Sequence, residues 1–266
     1  MRRWIVMLFV ISVELSAQEF SPAPFLGMGN TAIAQEGLFS LAGNPSGLSL
    51  LAHPQIASAY QQHFMSSDLA TQALLFGMPV MKQTALGFAV TNYGIYGVAS
   101  FMQSGISVAR AFGEQIRTSV TVNYHQYTIT RYSAQRSLSA DLGFIYKFSE
   151  HVSGGLFYKN INDTRFNTEI DQRIARTLGI GFTFHFSDEL LLGGDIVHMF
   201  PKQMQYRGGL SYGFHPHFIV RFGALSNPIQ YTAGAGFKHR SWQFDFATLF
   251  HTKLGSSPQL SLAYAF

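Results

Sequence analysis

The sequence predicts an all-β protein, a transmembrane antiparallel β-barrel of about 14 strands with an N-terminal plug segment. Three observations point there. The stretch Gln259–Phe266 alternates strictly, with Leu260, Leu262, Tyr264 and Phe266 on one face and Ser261, Ala263 and Ala265 on the other. That is the period of a strand, not of a helix. Segments of about ten residues with the same alternation recur from Gln55 onward, the length a tilted membrane-crossing strand needs. Charged residues are 12% of the chain and aromatics 15%, a balance that suits lipid-facing strands better than a soluble domain.

The N-terminus reads as a targeting segment. Arg2 and Arg3 precede an apolar run from Trp4 to Val13, and Leu15-Ser16-Ala17 offers a cleavage site before Gln18. The run is too short to span a bilayer as a helix, and no other apolar helical span of the needed length follows. The expected division is a signal peptide over 1–17, a plug segment over 18–52 and an outer-membrane barrel over 53–266. With no Cys there is no disulfide or thiolate metal site. The formal charge of +4 is scattered, which gives no case for nucleic acid.

Residues 18–52 do not read as a strand. Pro22, Pro24, Gly27, Gly29, Gly37, Gly43, Pro45 and Gly47 interrupt the segment too often. Phe25, Leu26, Met28, Ile33, Leu38, Phe39 and Leu41 make it too apolar for a disordered tail. It must be buried, and a barrel interior offers the place.

The strands follow in order: 55–64, 69–78, 83–92, 100–112, 115–128, 136–148, 151–160, 173–186, 189–199, 203–214, 217–225, 229–239, 241–250 and 258–266. The total is even, as a single-chain bacterial barrel requires. Two strands alternate poorly. Arg110 shares a face with Ile106 and Val108, and the pattern blurs over 189–199, so a merge or split there would give about 12 or 16 strands. Several strands end on an aromatic before a short polar turn, as at Phe112, Phe148, Phe186, Phe214 and Phe237. The other connections, around 93–99, 129–135, 161–172 and 251–257, are expected to be longer. Short turns alternating with longer loops is the asymmetry of an outer-membrane barrel, with the aromatics as a periplasmic girdle.

The last strand resembles the Phe-terminated strand by which outer-membrane proteins are recognised for barrel assembly, and Leu262, Tyr264 and Phe266 would carry that signal. A core strand of a soluble β protein alternates too, but the turn pattern favours the membrane. The stretch Phe25-Leu-Gly-Met-Gly-Asn-Thr-Ala-Ile-Ala, followed by Ala42-Gly-Asn-Pro-Ser-Gly-Leu48, resembles the N-terminal plug of FadL-type long-chain fatty acid transporters. It looks equally like the PorV/PorQ relatives of the type IX secretion system. In that superfamily a Gly-Met-Gly segment precedes an Asn-Pro-Ala-Gly-Leu motif and then a barrel. The matching positions are Gly27, Met28, Gly29, Asn44, Pro45, Gly47 and Leu48, with Ser46 in place of Ala. Pro45 fixes its own φ and restrains Asn44, Asn44 and Ser46 can bond nearby backbone, and Gly47 lets the chain turn close to the wall.

No catalytic chemistry emerges. His215-Pro-His217 sits in a short turn without a carboxylate cluster, and no Gly-x-Ser-x-Gly elbow exists, so neither a metal site nor a cofactor nor an enzyme is expected. Asp141, Asp195, Arg207, Arg221, Lys238 and Asp245 fall opposite the apolar faces of their strands. They are expected to line the lumen, either bracing it by ion pairs or holding the plug. The resemblance implies a barrel in the outer membrane of a Gram-negative bacterium, with membrane lipid and the barrel assembly machinery as partners. Two functions follow: passive transport of small hydrophobic compounds, or service as a PorV/PorQ-like accessory barrel that meets secretion-system proteins.

Overall fold

The computed structural model describes residues 20–166, 174–201 and 203–266, so the predicted signal peptide lies outside the described residues. Strands β1 to β14 run Gln55–Gln62, Leu69–Met81, Thr84–Ile95, Ala99–Phe112, Ile116–Ile129, Gln135–Lys147, Val152–Lys159, Thr177–His185, Leu190–Met199, Gln203–His215, Phe218–Leu225, Gln230–His239, Trp242–His251 and Gly255–Ala265. Each pairs antiparallel with its sequence neighbours, and β14 returns to β1 from Gln55 opposite Ala265 to Gln61 opposite Gln259. Closure leaves no unpaired edge, so the ladder satisfies the backbone.

The fourteen strands stand in one-to-one order with those read from alternation, but several run longer. β3 continues to Ile95 and β4 begins at Ala99, so the expected loop over 93–99 shrinks to 96–98. β13 runs to His251 and β14 starts at Gly255, reducing 251–257 to 252–254. Beyond the apolar band a strand needs no greasy outer face, so alternation stops at Thr91-Asn92-Tyr93 while the pairing continues. The β7–β8 connection, between Lys159 and Thr177, stays long.

Arg110, the residue that blurred β4, points outward two residues from the strand end, and its guanidinium lies 5.4 Å from the centre of the Phe112 ring. A cation there can reach the polar edge of the band while its stem covers apolar surface.

The outer face is a band of exposed large apolar side chains that includes Ile106 (61% exposed), Val122, Ile180, Phe246 and Leu260. Phe112, Phe148, Phe186, Phe214 and Phe266 are exposed at the end carrying the short turns. Replacing Ile106→Arg, in the middle of β4 and opposite Val122, is expected to destabilise the barrel in lipid by about 2–4 kcal/mol. Urea unfolding in vesicles checks it, and an unshifted midpoint would mean that this face does not meet hydrocarbon.

Candidate functional site: the barrel interior

Residues 20–49 pass through the inside of the closed wall, and nearly all are buried. The buried core is made between this segment and the wall. Phe25, Leu38, Phe39, Leu41 and Leu48 pack on Ala57, Leu75, Ala85, Ala109 and Ala263, while Ile33 packs on Phe157 and Val197. The wall side of the first contact is alanine apart from Leu75, so most of its large residues come from the segment.

The segment opens with the short helix α1, Ala23–Leu26, whose first turn bonds to the Pro22 carbonyl. Pro24 suits that first turn, because its missing N–H would have no intrahelical partner. The Ala23 N–H donates to Ser261 Oγ at 3.1 Å, tying the helix to β14. Gly27 closes α1, and Gly29 takes φ +68°, a conformation that favours glycine. Around Met28 the chain touches the wall backbone to backbone: a Cβ on Gly209 or Gly223 would collide with the Met28 carbonyl carbon. Thr232 Oγ1 accepts from the Gly29 N–H at 2.9 Å and donates to the Gly27 carbonyl at 3.0 Å. The Gly-Met-Gly motif therefore lies on a glycine-lined strip of β10 and β11, clamped by one threonine of β12.

The Asn-Pro-Ser-Gly motif forms a second anchor. Asn44 is extended, at φ −121° and ψ 100°, as the following proline requires, and Pro45–Leu48 makes a 3-10 turn. Asn44 Nδ2 donates to the Ile33 carbonyl at 2.7 Å and the Phe144 carbonyl at 3.1 Å, while Oδ1 accepts from the Ser46 N–H at 3.3 Å. Ser46 Oγ meets Ser119 Oγ at 3.0 Å. Gly143 leaves the space that the Asn44 and Ser46 side chains fill. Gly47 leaves room for the Gln35 carbonyl and Ser40, so its tightest contacts are within the segment itself. Its carbonyl accepts from the Gly37 N–H at 3.0 Å.

The six candidate lumen charges all stand on inward faces, in different surroundings. Asp195, 4% exposed, accepts from the Ala32 N–H at 2.8 Å and the Ile33 N–H at 3.3 Å. Arg207 donates to the Asn30 carbonyl at 3.3 Å and to Gln205 Oε1 at 2.7 Å. Both touch the segment. Arg221 pairs with Asp245 at 2.7 Å, reaching past Gly236 of β12. Asp141 accepts from Asn123 Nδ2 at 2.7 Å and from the Asn160 N–H at 2.8 Å, fixing the start of the β7–β8 loop. Lys238 stands at the short-turn mouth, with its side chain exposed.

Two buried polar groups were not singled out from the sequence. Arg117, buried at the start of β5, makes an ion pair with Glu36 of the segment. Its signal was present: Arg117, Ser119, Thr121, Asn123 and His125 alternate inward as one polar stripe. His63, just past β1, is buried with Nε2 2.7 Å from Thr71 Oγ1, and burial pushes its pKa down to about 4. It is neutral at neutral pH.

Leu262 and Tyr264 lie on the outer face of β14, and Phe266 follows directly after its end. The Tyr264 and Phe266 rings meet edge to face at 5.1 Å, and the Phe266 N–H donates to the Pro54 carbonyl at 3.0 Å. His217 Nδ1 lies 2.9 Å from the Lys238 carbonyl oxygen. Among the described residues, no group of three or more His, Cys, Asp or Glu is arranged to hold a metal.

No family model matches the sequence, and no curated protein matches it. Solved structures do match in fold. The CymD monoaromatic hydrocarbon channel superposes with a TM-score of 0.72 at 12% identity, over 92% of this chain and 97% of that one. The Pseudomonas putida toluene transporter TodX gives 0.71 at 12% identity, over 93% and 99%. A Pseudomonas aeruginosa FadL homologue gives 0.66 at 9% identity, over 92% and 98%. The chain has the barrel fold of the FadL-type hydrocarbon channels.

Proposed function

We propose that this chain is an outer-membrane barrel that passes small hydrophobic compounds passively, with residues 18–52 as its plug. The observation that carries the reading is the interior contact. A closed barrel with an apolar outer band is filled by an apolar chain segment, where Phe25, Leu38, Phe39 and Leu48 sit on a wall of alanines and glycines with one large member, Leu75. Such a filling excludes bulk water and offers greasy surface to a solute that displaces it. Small wall residues give that solute room once the segment shifts, and the segment is held by a handful of polar anchors. The names of the similar structures, a toluene transporter and a monoaromatic hydrocarbon channel, agree with a greasy cargo. No observation in the structure favours a secretion accessory.

Apolar solutes cross bare phospholipid unaided, so the test belongs in cells with an intact lipopolysaccharide layer. Cells producing the barrel are expected to take up a labelled monoaromatic hydrocarbon several-fold faster than cells without it. Uptake of a disaccharide should not change. Equal hydrocarbon uptake would sink the proposal, and a parallel rise in sugar uptake would make the protein a general porin.

A further inference from the structure

We propose that the short-turn mouth of the barrel holds an anion site, built on Lys238 and Arg240 beside the β14–β1 seam, for a carboxylate or phosphate group. The site stands apart from the transport reading and does not need a solute to cross.

A cavity of about 130 Å³ opens at this mouth, lined among others by Gln55, Lys238, Arg240, Gln243 and Trp242. One water needs roughly 10–15 Å³ of such space, so a small anion fits together with part of its hydration. None of the lining residues is acidic. Asp245 lies two residues along β13 from Gln243 on the same inward face. Its oxygens are already engaged. Oδ1 accepts from Arg221 Nη1 at 2.7 Å, and Oδ2 accepts from Gln243 Nε2 at 2.7 Å. Asp245 and Arg221 are both nearly fully buried and cancel one another.

The side chains that line the cavity therefore include two cations and no acid. Lys238 follows Gly236 on the inward face of β12, and Gly236 lies directly against the Arg221 guanidinium and Asp245, so Lys238 stands on the mouth side of that pair. Arg240 occupies the two-residue turn between β12 and β13. A concave wall of one sign concentrates its field on the space it encloses and raises the local concentration of counter-ions. The two cations differ usefully: lysine acts as a point charge, and arginine offers a planar fork that matches carboxylate or phosphate oxygens. The Gln55 amide adds a neutral hydrogen-bonding group beside them.

The anion can come from a free solute or from an acidic phospholipid whose head group reaches over the rim. The full chain, purified in a non-ionic detergent, would be dialysed to equilibrium against radiolabelled benzoate or uncharged benzamide. Benzoate should be retained, benzamide should not, and inorganic phosphate should displace benzoate. The double change Lys238→Gln with Arg240→Gln should lower retention at least tenfold, while Lys238→Arg should keep it. Each variant's folding is verified by its heat-dependent gel mobility. In nanodiscs, replacing phosphatidylcholine by phosphatidylglycerol should suppress benzoate retention if the site takes a lipid phosphate, and leave it unchanged if it serves free anions; both results place an anion here. Equal retention of benzamide, or undiminished benzoate retention in the folded double variant, would overturn the site.

Discussion

Deleting residues 22–48 is expected to turn a barrel with little steady ion conductance into one that conducts in discrete steps. The strands pair through their own ladder around the full circle, so the wall does not need the segment for its backbone hydrogen bonds. What the deletion removes is the filling. Phe25, Leu38, Phe39, Leu41 and Leu48 would leave behind the small wall residues they pack on, Ala57, Ala85, Ala109, Ala263, Gly77 and Gly87 among them. The polar groups they uncover, including Asp195 and the Arg221–Asp245 pair, would then be wetted, which favours an aqueous path. Planar bilayer recording measures it directly. A deletion variant that is folded and inserted yet conducts no better than the wild type would remove the segment's role as a plug. A wild type that already conducts like an open porin would replace the transport reading with general diffusion.

The second large effect is expected from one side chain. Asp195→Ala leaves the N–H groups of Ala32 and Ile33 without the carboxylate that accepts from both. A buried donor without a partner costs about 1–3 kcal/mol. The loss falls on the filled state, because in the displaced state water meets the same groups. A loss of about 1.4 kcal/mol, inside that range, is a tenfold shift in the ratio of displaced to filled segment. Brief conductance openings should therefore become roughly ten times more frequent. Asp195→Asn keeps the volume and one acceptor oxygen, so its effect should be smaller and of the same sign. If Asp195→Ala gates like the wild type while remaining folded, the two hydrogen bonds do not hold the segment, and the anchor must be sought at Asn44 or Thr232.

The wall was legible in the sequence to a degree the interior was not. In β8, Ile180 and Phe182 face out while Gly179, Gly181 and Thr183 face in, and that alternation carried both the strand and its parity. It failed where its cause failed: past the apolar band, at Thr91-Asn92-Tyr93, pairing continues with no pattern to mark it. At Arg110 a charge near the end of a strand looked like an error and is a snorkelling cation over Phe112.

The interior was legible by residue type but not by partner. Asn44, Pro45 and Gly47 announced a constrained turn, and the turn exists. Yet Asn44 bonds the Phe144 carbonyl 100 positions away, and Gly47 makes room for the Gln35 carbonyl twelve positions before it. Nothing in the sequence around Gly209 and Gly223 signals that Met28 lies on them.

By itself, then, the sequence determined the strands, their order and which residues face inward. A period of two is local chemistry, and each strand of a membrane barrel must write it out in its own residues. Only the tertiary structure decided which inward residues meet the N-terminal segment: Asp195 at Ala32, Thr232 at Gly29, Arg117 at Glu36. Parity says in or out. It does not say at what height, or on which side of the lumen, a chain with no period of its own will come to rest.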